Sequence, residues 1–308
     1  MIVLVTGASG FIGRNIAPSE KCDVVIKKIF RSSVKLIPEC DEVLFIDSID
    51  GSTNWDGYLH EVDVVIHLSG VAHTKYTDES QLSEINTRGA IRLAEEAVKQ
   101  GVKRFVFVSS IGVNGTSTQA EPFSLDSEPS PHNGYAQSKH DAEIGLKKIA
   151  KETVLEVVIV RPTLVYGPDA PGNFGVLTKL IKKLPVLPFG LATNRRDFIS
   201  VQNLADLLVT CATHPNAAGH TFLASDGETV SIKEFTNAIA KGLGKKVIQL
   251  PVPVTLMRLA GKLTGKSAMI EQLYGNLEVD SSNIKEVLGW TPPFTMEQSM
   301  ALLKQMDK

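Results

Sequence analysis

Cysteine is scarce: Cys22, Cys40 and Cys211 are the whole complement of 308 residues, odd in number and without a C-x-x-C pair. That excludes a disulfide framework and a cysteine-based zinc cluster, and points to a reducing compartment. Metal-ligand spacing is missing from the histidines too. His67, His73, His132 and His140 fall at unrelated intervals, so no metal site is expected. Neither sign of charge dominates. Lys and Arg total 32 against 34 Asp and Glu, a formal net charge of -2, which excludes a polybasic nucleic-acid binder. No run approaches the roughly 18 apolar residues of a membrane span. The opening Met1-Ile2-Val3-Leu4-Val5 is too short for a signal-peptide core and has no basic leader. The expectation is a cytoplasmic protein with neither a nucleic-acid nor a membrane partner.

What is present is a globular balance, 43% hydrophobic and 21% charged, in a chain long enough for one large or two modest domains. Short Val-, Ile- and Phe-rich runs at 2–6, 24–30, 42–46, 62–68, 104–109 and 155–161 are apolar on both faces, as strands of a helix-covered parallel sheet must be. Helical patterns separate them, clearest at 81–100 and 135–151. The fold class is α/β, a doubly wound parallel sheet. After Arg161, Pro and Gly crowd 162–175 and 184–190 around one helix at 176–183. Further helices are expected at 202–213, 231–242, 254–264, 281–288 and 295–305, and a strand at 219–224. Ser281 and Thr295 stand as N-caps, and Gly289 as a helix stop. The domain reading is a dinucleotide-binding unit over 1–165, rejoined by 201–224, and a smaller mixed C-terminal lobe over 166–200 and 225–308 that covers the substrate.

Thr6-Gly7-Ala8-Ser9-Gly10-Phe11-Ile12-Gly13 follows an apolar strand and is expected to open a helix. Gly7 suits the tight turn, Gly10 the close approach of a pyrophosphate and Gly13 helix–strand packing. Phe11 and Ile12 supply N–H groups at the helix start, where phosphate binds. Pro18 should break or kink that helix early. The second strand ends in Arg31-Ser32-Ser33 in place of the acidic residue that would meet an NAD ribose. Arg31 therefore pairs with the 2′-phosphate of NADP or is a solvated strand-end cation.

Tyr135 and Lys139 stand four apart at the start of a helical stretch, so they share a face. A phenol is a poor base near its ordinary pKa of about 10. A neighbouring ammonium and a positive nicotinamide would favour the phenolate. Ser110 ends an apolar strand, where open α/β sheets place their ligands, and its hydroxyl would relay between Tyr135 and a substrate oxygen.

Set in this order, these segments resemble the extended short-chain dehydrogenase/reductases, in particular the nucleotide-sugar epimerase/dehydratase group with its UDP-hexose 4-epimerases and 4-keto reductases. The resemblance covers nearly the whole chain: TGASGFIG at 6–13, HLSGVAHT at 67–74, NTRG at 86–89, SSIGVNG at 109–115, YAQSK at 135–139, RPTLVYGP at 161–168, RRDFISVQNLAD at 195–206 and EVDSSNIKEVLGWTP at 278–292. It implies a Rossmann sheet with a substrate-binding lobe, a catalytic set of Ser110, Tyr135 and Lys139, and an NAD or NADP cofactor.

The resemblance also implies contacts that spacing alone does not. Leu68, Ser69 and Gly70 match the segment beside the cofactor pyrophosphate, Asp47 falls near the adenine, and Pro162 and Val165 run past the nicotinamide. Asn86 matches an asparagine that bonds backbone near the active site. On the substrate side, Arg196 looks like the arginine that grips a sugar nucleotide's diphosphate. Asn173 and Phe174 match residues closing over it, and Leu187 to Phe189 resemble the strand beside uracil. A second, later phosphate arginine is not evident. Ile111-Gly112 replace the Asp-Glu pair that a 4,6-dehydratase needs, so dehydration is not expected.

The expected function is a UDP-glucose or UDP-N-acetylglucosamine type of 4-epimerase, working by transient oxidation at C4 with retained NAD. A 4-keto reductase of a UDP-4-keto-6-deoxy-hexose would use the same residues with NADPH. A non-catalytic dinucleotide sensor is the alternative of another class. A homodimer through helices 81–100 and 135–151 is the family expectation.

Overall fold

β-branched and aromatic residues that alternate with helix formers build the sheet first. In a computed structural model that describes residues 1–17, 24–31, 42–72 and 78–307, the strands are β1 (Ile2–Thr6), β2 (Val25–Arg31), β3 (Glu42–Ile46), β4 (Val64–His67), β5 (Arg104–Val108) and β6 (Glu156–Pro162). With β10 (Thr221–Ala224) they form one seven-stranded sheet, ordered β10-β6-β5-β4-β1-β2-β3. Every pairing in it is parallel. The order runs away from β1 in both directions, so a crevice opens at the carboxyl ends of β1 and β4.

Helices cover both faces. Between β4 and β5, α1 (Glu79–Leu82) runs through a π-helical segment, Ser83–Arg88, into α2 (Gly89–Lys99). The long α3 (Gly134–Glu152) precedes β6. These helices bury Leu93, Ala94, Ala97, Ala142 and Leu146 against Leu4, Val65, Phe105 and Phe107, with Trp55 from the connection after β3. The opposite face takes α5 (Val201–Thr213), whose Leu204, Leu207 and Leu208 meet Val5, Ile66 and Val106.

A separate core belongs to the lobe. It gathers β7 (Leu164–Tyr166), α4 (Gly172–Lys183), β8 (Val186–Leu187), β9 (Phe198–Ser200) and α6 (Ile232–Gly242). β7 pairs with β9, and β8 pairs with β11 (Ile248–Gln249). The helices α7 (Val254–Leu263), α8 (Ser267–Tyr274), α9 (Ser282–Leu288) and α10 (Met296–Ala301) complete the chain, with a 3-10 tail at Leu302–Asp307. Ile284, Leu288 and Trp290 pack on the sheet with α5, not with the lobe. Trp290 Nε1 donates to Asp206 at 2.7 Å and pins that return.

Several expectations need correction. Among the described residues, the helix after the glycine turn is one 3-10 turn, Gly13–Asn15, and Ile16 is already extended. A proline at 18 has no N–H for the next helical bond and disfavours helix at the residue before it; Pro18 itself lies outside the described residues, as do Cys22 and Cys40. Ser281 does not cap α9 with its side chain; its Oγ meets Ser225 Oγ at 3.2 Å. Thr295 does cap, forming a reciprocal box with Gln298, and Gly289 is left-handed at φ +60° where α9 stops. No helix among the described residues is long and apolar enough to cross a membrane.

Candidate active site

Gly7 ends β1 at φ +70°, and a Cβ there would lie 2.8 Å from Ser69 N and 2.9 Å from Leu68 C. The turn is thus pressed against the exit of β4, and only glycine permits it. Gly10 N–H donates to Gly7 O at 2.9 Å, and a Cβ on Gly13 would come within 2.7 Å of Ala8 Cα. Ser9 and Gly10 are exposed, so the loop presents bare backbone at the head of the crevice. That is the cradle a pyrophosphate fits. Phe11 and Ile12 turn inward, Phe11 to the lobe core and Ile12 to the sheet core, leaving their N–H groups as the contribution to a ligand. Because one 3-10 turn follows, the dipole expected from a long helix is reduced to a few peptide units.

Thr6 and His67 share a hydrogen bond at 2.8 Å across β1 and β4. Burial, with the charge of Lys139, drives His67 down to about 3, so the ring is neutral. It stacks on Phe107 with centroids 6.0 Å apart.

Ser110 leaves β5 in extended conformation and its Oγ accepts from Gly112 N–H at 3.0 Å. A Cβ on Gly112 would lie 3.5 Å from Ala136 Cβ, so the Ser110 turn abuts the first turn of α3. That turn carries Tyr135 and is capped by Asn133, which accepts from Ala136 N–H at 2.8 Å. One turn on, Lys139 is buried, donates Nζ to Val108 O at 2.9 Å and sits 4.6 Å from the Phe107 ring centroid. A Cβ on Gly70 would lie 3.3 Å from Lys139 Nζ. The Ser110 turn, the Tyr135–Lys139 face and the Leu68–Gly70 exit therefore meet beside the glycine turn.

The electrostatics differ from the sequence expectation. Burial pushes Tyr135 up to about 12, so the lowering expected of the phenol has to come from the positive nicotinamide. The Lys139 ammonium is engaged by Val108 O and Phe107, and burial lowers Lys139 itself to about 8, opposed by Glu143. Desolvation favours the neutral form of both groups.

Asn86 lies in the π-helical segment and is buried. Its Oδ1 accepts from Val71 N–H at 2.8 Å, while Nδ2 donates to Val71 O at 3.1 Å and Ser138 Oγ at 3.0 Å. Ser138 Oγ donates to Tyr135 O at 2.8 Å. Nearby, Arg161 donates to Glu143 at 2.9 Å and to Asn114 Oδ1 at 3.0 Å; this network, the Thr6–His67 bond and Ser138 were missed by sequence reasoning, because nothing in their local spacing marks them.

On the lobe side, Arg196 sits in bridges to Val230 and Leu277 and is buried. It donates one Nη to Gly275 O at 3.0 Å, and burial pulls it down to about 10. Among the described residues no carboxylate pairs with it. A desolvated guanidinium without a counter-charge is suited to an incoming anion. Asn173 is exposed at the start of α4. Phe174 is buried, its ring 5.8 Å from Tyr166 and 5.9 Å from Phe235, and Leu187 and Phe189 are buried in the same core. Their side chains belong to the lobe core, where large apolar groups gain most from burial.

The remaining positions are distributed along the sheet. Arg31 is exposed at the end of β2 and Asp47 just after β3; Ser32 and Ser33 lie outside the described residues. Pro162 pairs with Ala224 at the end of β6, and Val165 with Ile199 in β7. No group of three or more metal-ligating residues occurs among the described residues.

Residues 3–225 match the model of the family described as NAD dependent epimerase/dehydratase. The chain is 42% identical over 305 residues to a UDP-glucose 4-epimerase of Vibrio cholerae, covering 96% of this chain and 92% of that one. A GDP-6-deoxy-D-mannose reductase of Pseudomonas aeruginosa is more distant, 23% identical with 97% and 94% covered. The fold superposes on the UDP-glucose 4-epimerase of Thermotoga maritima crystallised with UDP-glucose, at TM-score 0.76 and 22% identity, covering 100% and 98% of the two chains. A family match running from β1 to the end of the sheet, with identity of that order along the remaining length, goes beyond a shared architecture: the chain is an enzyme of the NAD dependent epimerase/dehydratase family.

Proposed function

We propose that the protein is a UDP-hexose 4-epimerase, acting on a UDP-glucose or UDP-N-acetylglucosamine type of substrate with NAD as its retained cofactor. The observation that carries this reading is the convergence of the Ser110 turn, Tyr135 and the buried Lys139 at the glycine cradle, in a chain 42% identical to a UDP-glucose 4-epimerase. Gly7, Gly10 and Gly13 with the Phe11 and Ile12 N–H groups hold the pyrophosphate, and Leu68 to Gly70 line its other side. Lys139, Pro162 and Val165 flank the nicotinamide end, and Asp47 the adenine end. Held there, NAD would supply an acceptor for the hydride of the sugar C4, its return to that carbon, and a positive ring charge. With a positive nicotinamide beside it, Tyr135 would act as the phenolate, take the 4-OH proton to become the phenol and give it back on the return step, while Ser110 Oγ, which accepts from Gly112 N–H, keeps its own O–H to donate to the sugar oxygen. Arg196, with Asn173 and the backbone at Phe174, Leu187 and Phe189, holds the diphosphate and base.

The domains in this reading are a nucleotide-binding unit over 1–165 and 201–224 and a substrate lobe over 166–200 and 225–308; the packing of Ile284, Leu288 and Trp290 on the sheet supports joining 282–290 to the first. The outer faces of the 81–100 and 135–151 helices, where Ile144 is exposed, form a homodimer seam.

The test is to denature fresh protein and identify any released dinucleotide by mass spectrometry, then assay UDP-glucose and UDP-galactose interconversion. Stoichiometric NAD and interconversion without added cofactor support the reading. An empty protein that prefers NADPH and consumes it on a 4-keto sugar nucleotide overturns it in favour of the reductase, with Arg31 on the 2′-phosphate. Indifference of every activity to Tyr135→Phe would leave a dinucleotide sensor.

A further inference from the structure

Helix α7 meets its packing needs with one face and leaves leucines on the other. Val254 and Met257 join the lobe core, and Gly261 is buried so closely that a Cβ would stand 2.8 Å from Ile270 Cγ1. On the opposite side Leu256, Leu259 and Leu263 are 55%, 53% and 80% exposed. At about 100° per residue these three project within roughly 60° of one another, directly away from the Met257–Gly261 face. Apolar residues scattered singly on a surface need no explanation, but a continuous stripe along a helix does.

The segment that carries the stripe is basic. Between Glu234 and Glu271 the chain carries Lys241, Lys245, Lys246, Arg258, Lys262 and Lys266 and no carboxylate at all, in a protein whose net charge is -2. Arg258 and Lys262 lie along one flank of the leucines, and Lys266 follows in the turn to α8. Arg258 is answered by Glu271, at 2.9 and 3.1 Å. No carboxylate among the described residues pairs with Lys262 or Lys266, and both are exposed. Upstream, Val186 and Ile248 are paired in register on the two-stranded sheet and both are exposed, with Lys245 and Lys246 preceding them.

We propose that the outer face of α7 docks on the surface of an anionic phospholipid bilayer. The leucines enter the boundary between headgroups and acyl chains while Lys262 and Lys266 meet lipid phosphates, the arrangement of an in-plane amphipathic helix. A second copy of the chain is the poorer occupant. A two-fold seam through this face would bring two copies of Lys262 and Lys266 together, neither paired with a carboxylate among the described residues. No helix among the described residues is long and apolar enough to cross a membrane, and an in-plane attachment of this kind needs none. The inference does not rest on which sugar the enzyme turns over.

The test uses the full-length protein with sucrose-loaded vesicles of phosphatidylcholine alone or with phosphatidylglycerol. Sedimentation with the anionic vesicles is expected, about tenfold weaker on the neutral ones and reduced by high salt. Leu256→Ser/Leu259→Ser/Leu263→Ser should abolish it and Lys262→Glu/Lys266→Glu weaken it, both with unchanged circular dichroism and unchanged turnover of a soluble sugar nucleotide. Wild-type protein that stays in the supernatant with every vesicle overturns the proposal. So does equal binding to neutral and anionic vesicles, and so does a concentration-dependent dimer that the leucine variant loses without any vesicle binding.

Discussion

Arg161 on β6 grips both carboxylate oxygens of Glu143 on α3 and turns its remaining Nη to Asn114 Oδ1 at 3.0 Å. Asn114 closes the 3-10 turn that Ser110 begins, and Glu143 is one helical turn beyond Lys139. One guanidinium thus ties together the elements that carry Ser110, Tyr135 and Lys139. All three partners are buried. Removing one charge should strand the other: Arg161→Met is expected to lose about 3–5 kcal/mol of unfolding free energy in urea titrations. The double variant Arg161→Met/Glu143→Leu should recover most of that loss, since an apolar pair of similar volume is often neutral.

Tyr135→Phe removes one hydroxyl and no packing. Turnover should fall by about two to four orders of magnitude, the usual scale for a positioned acid–base group. The released dinucleotide should remain stoichiometric, read by mass spectrometry on the same sample.

Gly7→Ala tests the cradle. The residue sits at φ +70° with Ser69 N where the new Cβ would go. Left-handed backbone alone costs an L-residue about 1–2 kcal/mol. Thermal melting should show at least that loss, and the purified variant should carry little dinucleotide.

Arg196→Met separates substrate binding from stability. Charge-assisted hydrogen bonds contribute about 1.5–3 kcal/mol, so KM for the sugar nucleotide should rise about 10- to 100-fold with kcat little changed. The ligand-free protein should not lose stability, because a desolvated cation bonded only to Gly275 O is a cost to the fold. A fall in melting temperature with unchanged KM would make Arg196 structural.

Two buried groups act in opposite directions on acidification. His67 titrates at about 3 in the fold against 6.5 outside it. The unfolded chain therefore binds the extra proton, and stability falls as pH drops from about 6.5 towards 3. Asp226, held by Tyr166, Asn203 and the Ser200 N–H, is raised by burial to about 6 from 3.8. Here the fold binds the proton first, and stability rises as pH falls from about 6 to 3.8. Urea midpoints between about pH 4 and pH 7 should fall more steeply in Asp226→Asn than in wild type, and less steeply in His67→Gln.

Much of the architecture was legible along the chain. Apolar runs at 2–6 and 104–109 became β1 and β5 because a strand covered on both faces has no polar side to interrupt it. The glycine turn was legible because Gly7 has a backbone geometry that few other residues adopt. The residues around Tyr135 were less so. Asn86 was legible only through the resemblance, which implied the backbone bonds it makes to Val71; its bond to Ser138 was not, and Thr6 meets His67 from 61 positions away.

Local sequence determined the strands, the turn at Gly7 and the shared face of Tyr135 and Lys139, since each depends on periodicity or backbone freedom within a few residues. Tertiary structure alone decided which way Phe174, Leu187 and Phe189 point, how Arg161 is answered, and that Tyr135 is raised rather than lowered. Those outcomes depend on what is packed against each group from distant parts of the chain. Desolvation and burial belong to the assembled volume, and no stretch of sequence carries them.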